Sequence, residues 1–227
     1  MGILLVIIAY VVYAAFWVRL SLHTFVWLKS ARRLLPHHSA PDVKRFPAFA
    51  TAALDLFFFR RLFASNKVLW LGSWAFHTAF LFVIFRHLKY FLDPVPACIR
   101  CVQPFGVAAG YILALSLPYV MVARAVARVK YVSYQNYVIL GLLFFISATG
   151  LLMRNFFRPD LIDVKSFVMG IVAFRPSPLP GNFFFIAHFS FALLLIPYLP
   201  FHIFTAPLIA IEARRRQQGL DMVMHEK

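Results

Sequence analysis

Two segments decide the fold of this chain: LGSWAFHTAFLFVIFRHLKYFL (residues 71–92) and GNFFFIAHFSFALLLIPYLPFHIFTAPL (residues 181–208). Each is a nearly unbroken apolar run, and a helix needs about 20 mostly apolar residues to cross a bilayer. The first run carries His77 and His87, and the second carries His188 and His202. Polar side chains inside a bilayer are costly and are usually functional. These four histidines are therefore the main candidates for a site.

The composition extends the membrane interpretation to the whole chain. Of its 227 residues, 62% are hydrophobic and only 14% are charged, and the mean hydropathy is +0.78. These values exclude an ordinary soluble domain. The sequence predicts an all-α membrane protein with five spans, and the first is expected to be a retained span because no basic region or cleavage motif marks it as a signal peptide. The predicted spans are residues 3–28, 68–91, 104–127, 134–153 and 182–207.

The distribution of charge predicts the orientation in the membrane. The formal net charge is +15, and most of the 23 Lys and Arg lie in residues 29–67, just after span 3, or in the C-terminal tail. The five-span order places these regions on one side. The positive-inside rule then puts the N-terminus outside and the C-terminus in the cytoplasm. The basic excess indicates contact with membrane lipids and not a nucleic-acid partner.

We expect one integral membrane domain over residues 1–227, without a separate soluble domain. The interior of the 29–67 connection, residues 46–66, reads as an amphipathic helix at the inner interface, and a docking surface for a partner subunit is compatible with this. Within the outer loop, residues 160–174 predict a short helix and the following RPSPLPG an extended connection. The segments outside the bilayer are a cytoplasmic or interfacial connection (29–67), an outer loop (154–181) and a cytoplasmic tail (208–227).

The span order sorts the histidines into two pairs. Spans 2 and 5 run in opposite directions, so His87 is expected level with His188 near the outer side, and His77 level with His202 near the inner side. At 100° per residue, the two histidines of each span differ by about 80° and about 40° around the helix, so all four can face the bundle interior.

The distances between the two histidines along span 2 and along span 5 agree less well with each other. The rise per residue separates the histidines by about 15 Å on span 2 and about 21 Å on span 5. We expect helix tilt and kinks at Pro197 and Pro200 to absorb this difference.

Two pairs of buried histidines suit two stacked haems. Neutral imidazole is a common haem ligand, and iron with two histidine ligands has no open position for oxygen or substrate. Such a haem suits one-electron transfer. The sequence predicts two haem b groups between spans 2 and 5, the outer on His87 and His188 and the inner on His77 and His202. Small residues expected to leave room for the macrocycles are Gly72, Ser73, Ala75, Ala187, Ser190 and Ala192.

The same residue pattern is also compatible with a protein that binds no haem. The four histidines could bond backbone carbonyls or lipid headgroups, or relay protons, in a haem-free membrane anchor or small transporter. Cys98 and Cys101 lack the following histidine of a c-type haem motif, because position 102 is Val. A local disulfide and two free thiols are both compatible with their spacing, and a thiol-redox protein is a third hypothesis.

Cationic side chains at the outer ends of spans 2 to 4 are candidates for cofactor binding. Haem propionates are anionic and need cationic or hydrogen-bonding partners. Arg86, beside His87, is the main candidate for the outer haem, and Arg100 is a second cofactor-binding candidate. Snorkelling towards lipid headgroups is the alternative for Arg86. The cluster comprises Arg86, Lys89, Arg100, Arg154 and Arg158.

The order of the histidines, and HIFTAPLIAIEARRR after the last, resemble the gamma subunit of respiratory nitrate reductase, a five-span dihaem cytochrome b. The spacing from His188 to His202 is shorter than in that family. The segment LDLFFFRRLFASNKVLWLGSWAFH is more similar to cytochrome b anchors of sulfate-reducer redox complexes, namely the high-molecular-weight cytochrome complex and the sulfite-reduction-associated complex. The resemblance covers most of the chain.

The resemblance implies an electron-transfer subunit of an oxidoreductase complex, and not a complete enzyme, in a bacterial or archaeal cytoplasmic membrane. It implies exchange of electrons with a quinone such as menaquinone or with periplasmic cytochromes, and a cytoplasmic iron–sulfur subunit as partner, beside other membrane and periplasmic cytochrome subunits. It also implies a quinone site near the outer haem, for which Lys89, Tyr90 and Arg100 are candidates, with Asp93 as the nearest carboxylate.

Overall fold

The fold is seen in a computed structural model that describes residues 2–33, 54–127 and 134–200. The described part is helical and contains no β-strand. Short helical turns lie at Arg60–Ser65, Leu88–Tyr90 and Ile196–Tyr198. The main helices are α1 (Gly2–Arg33), α2 (Lys67–His87), α3 (Ala97–Val126), α4 (Tyr134–Asn155), α5 (Leu161–Val172) and α6 (Phe183–Leu195).

Within the described residues, four helices are long and apolar enough to cross a membrane. They cover Gly2–Val26, Lys67–Tyr90, Ala97–Val126 and Tyr134–Asn155. Large apolar side chains are exposed along these helices, among them Ile3, Leu115 and Val122. Such surface is stable against lipid and unfavourable in water. The chain is a multi-pass helical membrane protein.

The expected fifth span is only partly described. Its helix α6 continues as a 3₁₀ turn at Ile196–Tyr198, where Pro197 cannot donate a helical hydrogen bond. The effect of the two prolines on the distance from His188 to His202 stays a prediction, because His202 is not among the described residues. The rest of that span and the tail lie outside the described residues, as do residues 34–53.

The described chain divides into two compact units. The first contains Met1–Val11 and Asn66–Leu195, and the second contains Val12–Ser65 and Ile196–Lys227. In the second unit, Arg19 donates a hydrogen bond from Nη1 to the carbonyl of Pro197 (3.2 Å). Residues 54–58 and Arg60–Ser65 are helical but are separated by Phe59, whose φ is 48°. The helix predicted over 46–66 is therefore interrupted where it is described.

Three polar side chains start helices of the first unit. Asn66 accepts a hydrogen bond from the Leu69 amide at α2 (2.9 Å), and Asp160 accepts one from Ile162 at α5 (2.7 Å). Asn182 likewise accepts from Phe185 at α6 (3.0 Å). Each pairs an amide that the helix leaves without an internal acceptor.

Helices α2 and α3 approach closely at two glycines. A Cβ on Gly72 would overlap the ring of Tyr119 and lie 2.9 Å from Val120 Cγ2. A Cβ on Gly106 would lie 2.6 Å from Arg86 Cβ. Gly72 therefore lies in the α2–α3 contact, and its expected role in leaving room for a macrocycle stays a prediction.

The outer loop contains the short helix and extended connection that the sequence predicts. Helix α5 packs Val164 and the fully buried Phe167 against Val6 of α1 and Phe185 of α6. Further apolar side chains surround this cluster, including Tyr90 just after α2. We call the cluster of Val6, Val164, Phe167 and Phe185 the outer cover, because it packs at the end of the first unit nearest His87.

One helix boundary differs from the prediction. Helix α3 begins at Ala97, seven residues before the predicted start of span 3, and contains Pro104. Pro104 is the eighth residue of this helix, so it lies beyond the first turn and removes one internal backbone hydrogen bond. Cys98 and Cys101 lie on the first turns of a helix and not in a loop. Both are exposed free thiols.

Candidate functional site

The structure brings His87 and His188 together. His87 is the last residue of α2 and His188 lies in the second turn of α6. Their ring centres are 6.1 Å apart, and the ring planes differ by only 8°. The antiparallel order of the spans predicts this pairing, and both side chains are partly buried in the first unit.

The hydrogen bonds of both rings determine their protonated nitrogen. His87 Nδ1 lies 2.6 Å from the carbonyl oxygen of Val83, and His188 Nδ1 lies 2.9 Å from that of Ile146. A carbonyl oxygen only accepts hydrogen bonds, so each Nδ1 carries the proton and donates. Each Nε2 then has a lone pair, which is the form of imidazole that binds a metal.

The distance between the rings fits a metal ion bound by both. An imidazole nitrogen binds a first-row metal at about 2.0–2.1 Å and lies roughly 1.1 Å from its ring centre, so two trans imidazoles have centres roughly 6.2–6.4 Å apart. The observed 6.1 Å agrees with this value, and it also lies within the range of about 4.5–7 Å for offset-stacked rings. The spacing therefore allows His87 and His188 to hold a haem iron, each through its Nε2.

Helix α2 packs along α3, α3 along α4, and α4 along α6. Among the described residues, α2 and α6 share no comparable backbone contact, so His87 and His188 approach each other from helices that are not packed together. The same part of the chain contains no group of three or more His, Cys, Asp or Glu side chains that could hold a metal. A haem needs only two protein ligands, because the porphyrin supplies the other four.

Residues of helix α4 contact the ring of His188. The Thr149 hydroxyl lies 3.2 Å from His188 Nδ1, beside the Ile146 carbonyl. A Cβ on Gly150 would lie 3.3 Å from His188 Cε1, so glycine leaves room for the ring. Reasoning from sequence missed these α4 residues. The adjacent Thr149 and Gly150 in an otherwise apolar span were the available signal.

The second predicted pair is described on one side only. His77 Nδ1 donates to the carbonyl of Ser73 (2.7 Å), and its ring lies 4.0 Å from that of Phe76, centre to centre. This bond leaves the same tautomer as in His87. His202 lies outside the described residues, so the inner pairing stays a prediction.

Cationic side chains lie beside the outer pair. Arg86 precedes His87, and the aliphatic part of its side chain packs on Gly106. The positive charges of Arg86 and Arg154 repel each other. Lys89 lies over the ring of Tyr90 (4.8 Å) and also interacts with Arg86 and Arg154. In the described part of the chain, no carboxylate forms an ion pair with any of these three cations.

Two other predicted residues are paired or exposed. Asp93 forms a salt bridge with Lys165 of α5 (3.1 Å), which links the end of α2 to the outer cover. Arg100 is exposed on the first turns of α3 and makes no described contact with either ring.

Comparisons with known proteins point in the same direction. The Hdr-like menaquinol oxidoreductase cytochrome b-like subunit of Archaeoglobus profundus is 30% identical over 69% of this chain and 56% of its own length. The protein of the same name from Archaeoglobus fulgidus is 27% identical over 65% of this chain and 53% of its own length. This chain spans about half the length of these curated relatives. No family model matches the chain, and neither does a solved structure.

The two names agree with the predicted resemblance to membrane anchors of redox complexes. They do not bear on the resemblance to the nitrate reductase gamma subunit, which stays a prediction. The chain is similar to cytochrome b-like subunits of menaquinol oxidoreductases.

Proposed function

We propose that this chain is a dihaem cytochrome b subunit of a membrane oxidoreductase complex. The observation that carries the proposal is the pair His87 and His188, whose ring centres lie 6.1 Å apart with nearly parallel planes. The tautomers leave both Nε2 lone pairs for iron. His77 and His202 are the ligands of the second, inner haem in this proposal.

Each haem supplies reversible one-electron chemistry. His87 and His188 would hold the outer haem between α2 and α6, and a haem held by two histidines would have no open position for oxygen. Arg86, with Lys89 and Arg154 beside it, provides positive charge for the propionates. The outer cover packs apolar side chains at this end of the unit.

The five-span topology and the electron donor belong to the same proposal. Span 5 comprises α6 and the chain after it, with the N-terminus outside and the C-terminus in the cytoplasm. The names of the two relatives support menaquinol as the electron donor. The partners are then a cytoplasmic iron–sulfur subunit and other cytochrome subunits, in a prokaryotic cytoplasmic membrane.

The full chain, expressed in membranes, tests the function directly. We expect a pyridine haemochrome spectrum of haem b, and reduction of that haem by a reduced menaquinone analogue such as menadiol. A chain without haem b, isolated from haem-sufficient cells, contradicts the proposal and favours a haem-free anchor. Haem that dithionite reduces but menadiol does not would contradict the quinol assignment alone.

A further inference from the structure

We propose that Thr149 is a positioning residue for His188 and sets the electron-donating strength of its imidazole. This inference rests on the proposed function, since it concerns the outer haem. The three described histidines that are proposed as haem ligands differ in their Nδ1 partners. His77 and His87 donate to carbonyls of their own helices, four residues earlier, whereas His188 donates to a neighbouring helix.

The distances around Thr149 assign the direction of each hydrogen bond. Thr149 Oγ1 lies 2.7 Å from the carbonyl of Phe145 and 3.0 Å from that of Ile146. Both carbonyls only accept, so the hydroxyl proton is donated to one of them. Its oxygen is then free to accept from His188 Nδ1 at 3.2 Å. The Nδ1 proton is therefore shared between the Ile146 carbonyl and the Thr149 hydroxyl.

Gly150 makes this arrangement possible. With a Cβ at position 150, the nearest atoms would be Cε1 and Nδ1 of His188, at 3.3 and 3.5 Å. Glycine inside a helix is unfavourable relative to alanine. Gly141 on the same helix has no neighbour within 4 Å of its virtual Cβ, so it has no such role. Thr149 thus supplies a hydrogen-bond acceptor to His188, and Gly150 leaves space for its ring.

The chemical effect follows from the shared proton. A ring whose Nδ1–H donates more strongly carries more electron density on Nε2 and binds a cationic metal more tightly. Stronger donation stabilises ferric more than ferrous iron, and hydrogen bonding around an axial ligand is one of the ways in which proteins tune a haem. Thr149 therefore lowers the potential of the haem that His188 binds.

Three variants of the full chain in membranes test this role. Thr149→Val removes the acceptor and keeps the shape, Thr149→Ser keeps the acceptor, and Ser147→Ala is the matched control. Ser147 donates to the Phe144 carbonyl on the same helix and does not contact His188 in the described structure. The readouts are haem b per chain, midpoint potentials from a redox titration, and the low-field electron paramagnetic resonance (EPR) signals of ferric haem.

We expect Thr149→Val to keep both haems and to raise the potential of the one that His188→Ala eliminates. Loss of a modest hydrogen bond corresponds to a roughly three- to tenfold change in the ferric–ferrous equilibrium, which is about 30–60 mV for one electron. Thr149→Ser and Ser147→Ala should match the wild type. The other haem should keep its potential in all three variants.

Gly150→Ala provides a second test that does not depend on the valine variant. Its Cβ presses on the ring of His188, so we expect a shifted EPR signal from one haem only. Unchanged potentials in Thr149→Val, together with unchanged EPR signals in Gly150→Ala, would overturn the inference. That result is distinct from failure of the proposed function, in which the wild-type chain itself contains no haem b.

Discussion

Gly106 of α3 lies directly against the side chain of Arg86 on α2. A Cβ at position 106 would be 2.6 Å from Arg86 Cβ and 2.8 Å from its Cδ. Cβ is fixed by the backbone, so a larger residue cannot be accommodated by rotating the arginine alone. The absence of a side chain on Gly106 lets α2 approach α3 closely at Arg86, the residue that precedes His87.

Gly106→Ala is therefore expected to destabilise the protein by about 1–3 kcal/mol, as overpacking does. Thermal unfolding in detergent measures the change. Gly141→Ala is the matched control, because nothing lies near its virtual Cβ. The control should gain up to about 1 kcal/mol from helix propensity. Equal effects of the two substitutions would contradict the close α2–α3 contact.

Phe167→Ala is expected to cost about 3–5 kcal/mol, because the ring is fully buried in the outer cover. Ile162→Ala, on the same helix but 79% exposed, should change stability by less than about 0.5 kcal/mol. Thermal unfolding and limited proteolysis of the outer loop compare them. Proteolysis that is no faster in Phe167→Ala than in Ile162→Ala argues against α5 as a packed cover.

Arg86→Gln tests the cation beside the outer pair. A positive charge near the iron favours the reduced form, so its removal should lower the potential of the outer haem by roughly 20–60 mV, about 0.5–1.4 kcal/mol. Arg158→Gln, at an exposed position, is the control. A redox titration distinguishes the two. A raised potential in Arg86→Gln would show that the guanidinium does not act by its charge.

The two cysteines provide a test of the topology. Cys98 and Cys101 are the only cysteines of the chain and are exposed on α3. The proposed orientation puts them outside, so a membrane-impermeant maleimide should label them in intact cells after mild reduction. The double Cys→Ser variant gives the background. Labelling that appears only after the membrane is permeabilised contradicts an outer N-terminus.

Sequence reasoning predicted the features that depend on position along a span. The lengths of the apolar runs predicted the four described membrane helices. The opposite directions of spans 2 and 5 predicted that His87 and His188 lie at the same depth. The short helix α5 followed from its helical periodicity and its mix of acidic and basic residues. Each of these depends on one helix, or on the order of helices along the chain.

Features that depend on which helices are neighbours could not be predicted in this way. The residues that contact the His188 ring lie on α4. No pattern on α6 indicates that Ile146 and Thr149 are the hydrogen-bond partners of His188. Gly72 lies near His77 along the chain, but only the structure shows that it meets Tyr119 of α3. The predicted span 3 begins at residue 104, whereas α3 begins at Ala97 and contains Pro104 in its interior.

The number of haems in histidine variants tests the central claim most directly. We would measure haem b per chain by pyridine haemochrome in the wild type, His87→Ala, His188→Ala and the double variant. If both residues bind one iron, the counts are two, one, one and one, because the second substitution removes a ligand from a haem already lost. A double variant with no haem, or single variants that keep both haems, would contradict the pairing of His87 with His188.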